Sequence, residues 1–185
     1  MLAKHRLTES FIIEGKLDKV SSVDTRLIKN HILSNFSLTS RYDDKQYWYM
    51  KDYVEVPYHQ HIQWTQDWLR DHYRLEHDRT LIPTPIESIR GIVQQTGERV
   101  NTHHNVKDWH LEDSPEVSCL YTVGTGDRKS EIIFELDDGR NKHRRFKVPL
   151  EQNNFILFSS HLPYSITKND NKDFLVNLSL HFQLI

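Results

Sequence analysis

Cysteine is nearly absent from this chain: Cys119 is the single one among 185 residues. One thiol excludes an intrachain disulfide and a cysteine-built zinc cage. Its hydrophobic setting, Val117-Ser118-Cys119-Leu120-Tyr121, predicts a buried, inert side chain rather than a nucleophile. Long apolar runs are missing as well. No stretch approaches the roughly eighteen residues that a membrane-crossing helix requires, and Met1 to Ser10 lacks the apolar core of a secretory leader. These absences predict a soluble protein of a reducing, intracellular or cytoplasmic setting.

Charge of one sign does not dominate either. The formal net charge is −2 and the isoelectric point is near 6.6, so the chain has no basic footprint for nucleic acid and gives no sign of membrane binding. Three catalytic signatures are also missing: a phosphate-binding glycine loop, a Gly-x-Ser-x-Gly elbow and a His-Glu-x-x-His helix. What is present is ordinary for a globular fold: 37% hydrophobic, 27% charged and 11% aromatic residues. The length suits a single domain over 1–185 with a real core.

The pattern changes partway along the chain. Phe11-Ile12-Ile13 reads as a short strand. From Asp24, a plausible N-cap with Thr25, the residues Ile28, Ile32 and Phe36 recur every fourth position, with Leu27 and Leu33 beside them. That is an amphipathic helix. Gln46 to Val56 reads as a strand ended by Pro57. A second helix spans His59 to His77, with Trp64, Trp68, His72 and Leu75 near one face, and its histidines read as surface groups. Thr80 to Pro85, with prolines at 83 and 85, reads as a connection.

After it the period becomes two. Strands are predicted at 86–95, 98–106, 109–112, 117–123, 131–136, 144–149, 153–158, 164–168 and 174–185, separated by turn signals such as Thr96-Gly97 and Asp137-Asp138-Gly139. In the last strand, Phe174, Val176, Leu178, Leu180, Phe182 and Leu184 make one face apolar. Asn177, Ser179 and His181 make the other polar, facing solvent or a wet cavity. Helices first and many short strands after predict a mainly β jelly roll, residues 86–185, with an N-terminal helical support region, residues 1–85, packed outside one sheet.

One motif carries chemistry. In a strand, His110 and Glu112 of Trp109-His110-Leu111-Glu112 point to the same face and can converge on one ion. A histidine on a distant strand, such as His161 of Phe158-Ser159-Ser160-His161, would complete a two-histidine, one-carboxylate site that leaves positions open for co-substrate and oxygen. His103 and His104 cannot both face inward from a regular strand. His143, in Lys142-His143-Arg144-Arg145, reads as part of an exposed charged edge.

The order of Trp109-His110-Leu111-Glu112, Val117 to Val123, Ile132-Ile133-Phe134-Glu135, Asn154 to Ile166 and the strand from Phe174 resembles the prolyl-hydroxylase-like Fe(II)/2-oxoglutarate oxygenases over about half of the chain. The resemblance implies a double-stranded β-helix with iron inside it. It also implies His110 as first ligand, Glu112 as carboxylate, and a second histidine where Leu162-Pro163-Tyr164-Ser165-Ile166 carries Tyr164. The cation that grips the 2-oxoglutarate carboxylate falls on Leu175. A leucine cannot make the paired, charge-assisted hydrogen bonds of an arginine.

Two readings follow from that pattern. In the first, the chain keeps the fold without catalysis, as a binding, structural or assembly module with protein partners or copies of itself, even a component of a virion, and takes no cofactor. In the second it is an active hydroxylase using Fe(II) and 2-oxoglutarate. His110, Glu112 and His161 would then be the metal ligands, and Lys168 and Lys172, with Asn177 and Ser179, would hold the co-substrate.

Overall fold

The computed structural model describes residues 10–17, 23–42, 53–85, 88–106, 114–137 and 143–185. In chain order the elements are β1 (Ile12–Lys16), α1 (Thr25–Tyr42), β2 (Tyr53–Glu55), α2 (Gln60–His77), β3 (Leu81–Pro83), β4 (Ile89–Gln94) and β5 (Val100–His103). They continue with β6 (Val117–Gly124), β7 (Ser130–Asp137), β8 (His143–Leu150), β9 (Asn154–Ser159), β10 (Tyr164–Ile166) and β11 (Leu175–Leu184).

The strands form two antiparallel sheets. The larger runs β1-β9-β6-β11-β4-β2, with β3 paired to the end of β11, and the smaller runs β5-β10-β7-β8. Strand alternation explains how the larger sheet serves two cores at once. Val176, Leu178, Leu180 and Phe182 of β11 face the helices, together with Val117, Cys119, Tyr121 and Val123 of β6. Leu175 faces the smaller sheet, packed with Ile92, Leu120, Phe134, Phe158 and Tyr164. By the same alternation Asn177, Ser179 and His181 point into the space between the sheets, and all three are buried. The polar face of the last strand therefore lines the interior of the roll, not its surface.

The helices cover the outer face of the larger sheet. Asp24 caps α1, its Oδ1 accepting from the Arg26 N–H at 2.9 Å. Ile28 and Ile32 are fully buried, and at Gly91 of β4 an added Cβ would lie 2.5 Å from Ile32 Cγ2. That glycine is what lets α1 approach the sheet. In α2 the buried stripe is Ile62, Thr65, Gln66, Leu69 and Tyr73, which corrects the face read from Trp64, Trp68, His72 and Leu75. Leu75 is 79% exposed. Trp68 stacks on His72 at 3.8 Å and meets Phe155 edge-on at 5.6 Å. The slimmer stripe fits against the sheet, and the bulky indole lies over the rim of the contact.

A second correction concerns the connection read at 80–85. Leu81 to Pro83 is a short strand, Leu81 opposite Leu184 and Pro83 opposite Phe182. A proline is tolerated there because β3 lies at the rim of the sheet. The strand read at 109–112, and 46–52 of the one read at 46–56, lie outside the described residues. Among the described residues no helix is long and apolar enough to cross a membrane.

Candidate functional site

The space between the sheets is built around Tyr164. It opens β10, with His103 of β5 as its partner on one side and Phe134 of β7 on the other. Its side chain is fully buried. The ring meets Phe158 edge-on at 5.2 Å, Phe134 at 6.3 Å and the His103 imidazole at 4.3 Å. Burial pushes the phenol's pKa up, so it is a neutral hydroxyl at physiological pH.

That hydroxyl is occupied. Tyr164 Oη lies 2.8 Å from His103 Nε2 and 3.5 Å from Asn105 Oδ1. Tyr53 Oη of β2 contacts the same His103 nitrogen. His103 Nδ1 is 2.9 Å from the Asn101 carbonyl. A carbonyl only accepts, so Nδ1 carries the proton and Nε2 turns its single lone pair to the side where the two phenols lie. Burial holds the His103 pKa below its ordinary value, against the Asn101 hydrogen bond and with help from His104 and Arg90. Arg90 lies 5.7 Å from the centre of the Tyr53 ring.

Asn105 carries the network across the roll. Its Nδ2 donates to Ser118 Oγ at 2.9 Å, and Ser118 Oγ is 2.7 Å from Ser160 Oγ and 3.2 Å from His181 Nδ1. His181 Nε2 reaches Ser179 Oγ at 3.3 Å. Deeper in, Thr122 Oγ1 donates to Asn177 Oδ1 at 2.9 Å. One connected set of hydrogen bonds thus runs from β2 and β5 through β10 and β6 to β11.

The sequence-predicted residues fall in different places. His110 and Glu112 lie outside the described residues. His161 is on the surface, its Nε2 2.8 Å from Ser10 Oγ. Lys168 is 59% exposed and pairs with Asp170 at 3.2 Å, and Lys172 is exposed. These lysines are apart from Asn177 and Ser179, which are buried inside the roll. Leu175 is buried among apolar side chains. His103 faces inward and His104 is exposed, as alternation requires. Arg144 and Arg145 on the edge strand β8 are exposed, with Arg145 3.7 Å from Glu135 across the hairpin. Tyr53 and Asn105 were missed by the sequence reading. The spacing of His103 and Asn105, two residues apart at the end of β5, was a signal for the second of them.

Among the described residues no group of three or more His, Cys, Asp or Glu side chains could hold a metal ion. The donors that do converge are two protonated phenols, one imidazole and one amide. Where the resemblance places a second metal-binding imidazole and the cation for 2-oxoglutarate, these described residues offer the Tyr164 phenol and the Leu175 side chain, while His110 and Glu112 lie outside the described residues.

Neither a protein-family model nor a curated protein sequence matches the chain. Solved structures do. AviO1 from Streptomyces viridochromogenes is similar with a TM-score of 0.62 and 11% identity, over 93% of this chain and 89% of that one. EctD from S. alaskensis, solved with 2-oxoglutarate and 5-hydroxyectoine, gives 0.60 and 12% over 93% and 71%. A prolyl-4-hydroxylase from Pseudomonas putida gives 0.56 and 12% over 86% and 80%. Two sheets in this order, helices outside the larger one, and these likenesses make the fold the double-stranded β-helix of the Fe(II)/2-oxoglutarate oxygenases.

Proposed function

We propose that this protein is a non-catalytic member of that fold, serving as a binding or assembly module, as jelly rolls do when they build larger particles such as virions. The observation that carries the reading is Tyr164. It is fully buried, and its hydroxyl is engaged by His103 at the place where the resemblance puts a metal-binding histidine. Leu175, packed in the inter-sheet core, supports the same reading, because its side chain offers no charge at the place where the resemblance puts the cation that grips 2-oxoglutarate. Orientation supplies much of an oxygenase's rate.

Anaerobic Fe(II) titration with 2-oxoglutarate, followed by a succinate assay in air, tests the proposal. The expected outcome is no stabilisation by the metal and no succinate. Fe(II)-dependent succinate release that is lost in His110→Ala would replace the proposal with an active hydroxylase. Sedimentation at several concentrations tests the assembly half: self-association, or a stable complex with a protein partner, is expected. A monomer that captures no partner would count against it.

A further inference from the structure

Away from the roll interior, three imidazoles stand in a row where α1 meets the start of α2. His31 and His59 have ring centres 4.7 Å apart, and His59 and His61 are 5.4 Å apart. Trp64 closes the row edge-on against His61 at 4.9 Å. The first two pairs are inclined by only 36° and 26°. Ring nitrogens carry their lone pairs in the ring plane, so near-parallel rings direct them side by side and not at a shared ion. The row is not built for a metal.

It is built for neutral imidazoles. His59 is the N-cap of α2, with extended backbone at φ −146° and ψ 136°, and its Nδ1 accepts from the His61 N–H at 3.3 Å. His61 Nδ1 in turn accepts from the Asp24 N–H at 3.0 Å, at the residue that caps α1. His31 Nε2 lies 3.1 Å from the Pro57 carbonyl and ties α1 to the segment between β2 and α2. Two of the three rings use a lone pair to hold a backbone N–H. A protonated imidazole has no lone pair to offer. At His59 and His61 the added charge would also sit at the positive end of the α2 dipole.

We propose that the His31–His59–His61 row is an acid-sensitive latch, which when neutral caps α2 and fixes the start of α1, and when protonated loosens the helical cover from the larger sheet. The other charged groups at the row are Asp24 and Arg26 of α1, and they are turned to each other: Arg26 Nη2 is 3.5 Å from Asp24 Oδ2. Solvent reaches the row through a recess of about 430 Å³ lined by His61, Asp24, Thr25 and Asn153 among others. Burial, then repulsion from His31 and His61, holds the His59 pKa below its ordinary value. A group of that kind stabilises the fold above its unfolded pKa, about 6.5. That contribution is lost as the pH falls below this value, because the unfolded chain takes up the proton first.

The chain carries its own reporter. Cys119 is the single cysteine and is fully buried on the sheet face under the helices. Labelling of the full chain by 4,4′-dithiodipyridine, with each rate divided by that of the denatured chain at the same pH, reads opening of the cover. Between about pH 7.5 and about pH 5.5 the wild-type ratio is expected to rise about five-fold, the effect of losing the His59 cap. In His59→Asn/His61→Asn, the amide oxygen keeps an acceptor near the Nδ1 position but does not titrate, so the ratio should rise clearly less than in the wild type. A flat wild-type profile would overturn the latch. So would an undiminished rise in the double variant, which would assign acid sensitivity to another group such as His103. Should the double variant fail to fold, His59→Asn alone decides: a smaller rise supports the latch, and an unchanged one overturns it.

Discussion

Replacing Tyr164 separates its packing from its hydroxyl. Tyr164→Ala would leave a hole ringed by Phe134, Phe158 and His103. Emptying a fully buried aromatic site of this kind costs about 3–5 kcal/mol. Tyr164→Phe keeps the ring and removes one oxygen, whose partners are His103 Nε2 at 2.8 Å and Asn105 Oδ1 at 3.5 Å. A neutral hydrogen bond is worth about 0.5–1.5 kcal/mol net. The Tyr53 hydroxyl still occupies His103 Nε2 in the variant, so the cost should lie near the middle of that range, about 1 kcal/mol. For a domain of this size each kcal/mol moves the thermal midpoint by about 2–4 °C. Scanning calorimetry should therefore show a drop of about 2–4 °C for phenylalanine and about 6–20 °C for alanine. Equal losses in the two variants would mean that the hydroxyl, not the ring, carries the site. A midpoint raised by anaerobic Fe(II) in the wild type but not in Tyr164→Phe would make the phenol a metal ligand and refute the reasoning.

His103, whose pKa is held down by burial, should make stability fall as the pH drops below about 6.5. Urea titrations of His103→Gln, which keeps an acceptor near Nε2, should give a shallower slope across that window, and an unchanged slope would clear His103. Among the described residues His161→Ala loses the surface contact to Ser10, so its unfolding midpoint in urea should match the wild type within about 0.5 kcal/mol; a larger loss would place His161 in the fold's support. Gly91→Ala forces a methyl against Ile32 Cγ2 and should cost about 1–3 kcal/mol, measured by urea unfolding, and Ile32→Ala, which removes that carbon, should cost less in the Gly91→Ala chain than in the wild type.

Much of the fold was legible because period-two alternation survives wherever one strand face meets a different environment from the other. In β11, Val176, Leu178, Leu180 and Phe182 meet helices, and Asn177, Ser179 and His181 meet the roll interior, so the two faces had to differ in chemistry. The α2 face was misread because tryptophan is scored as simply apolar. Trp68 lies at the rim of the contact, and the buried stripe includes Thr65 and Gln66, which a hydrophobic count discards. Tyr164 and Leu175 were readable as replacements because each stands inside a local pattern whose spacing is otherwise intact. The partners of Tyr164 were not readable. Tyr53 lies 111 positions away on a strand of three residues. Pairing at that separation depends on how the sheets close, and no local pattern records it.

The polar interior has its own physical logic. A serine, histidine or asparagine sealed between two sheets costs about 1–3 kcal/mol if left without a partner. An oxygenase offsets that cost by using such groups on a metal and a co-substrate. Here many of the described groups offset it among themselves: Ser118 serves Asn105, Ser160 and His181 together, and Asn177 Oδ1 takes the Thr122 hydroxyl, although Asn177 Nδ2 has no partner among the described residues. The same network fixes Tyr164 through Asn105 and His103. A metal entering this space would have to break hydrogen bonds among these described groups, and it would meet the neutral Tyr164 phenol at the place where the resemblance puts an imidazole. Tyr164 therefore does more than occupy a ligand's position. It joins His103 and Asn105 to the serine and histidine network of β6 and β11, so that these described polar groups of the interior stabilise one another.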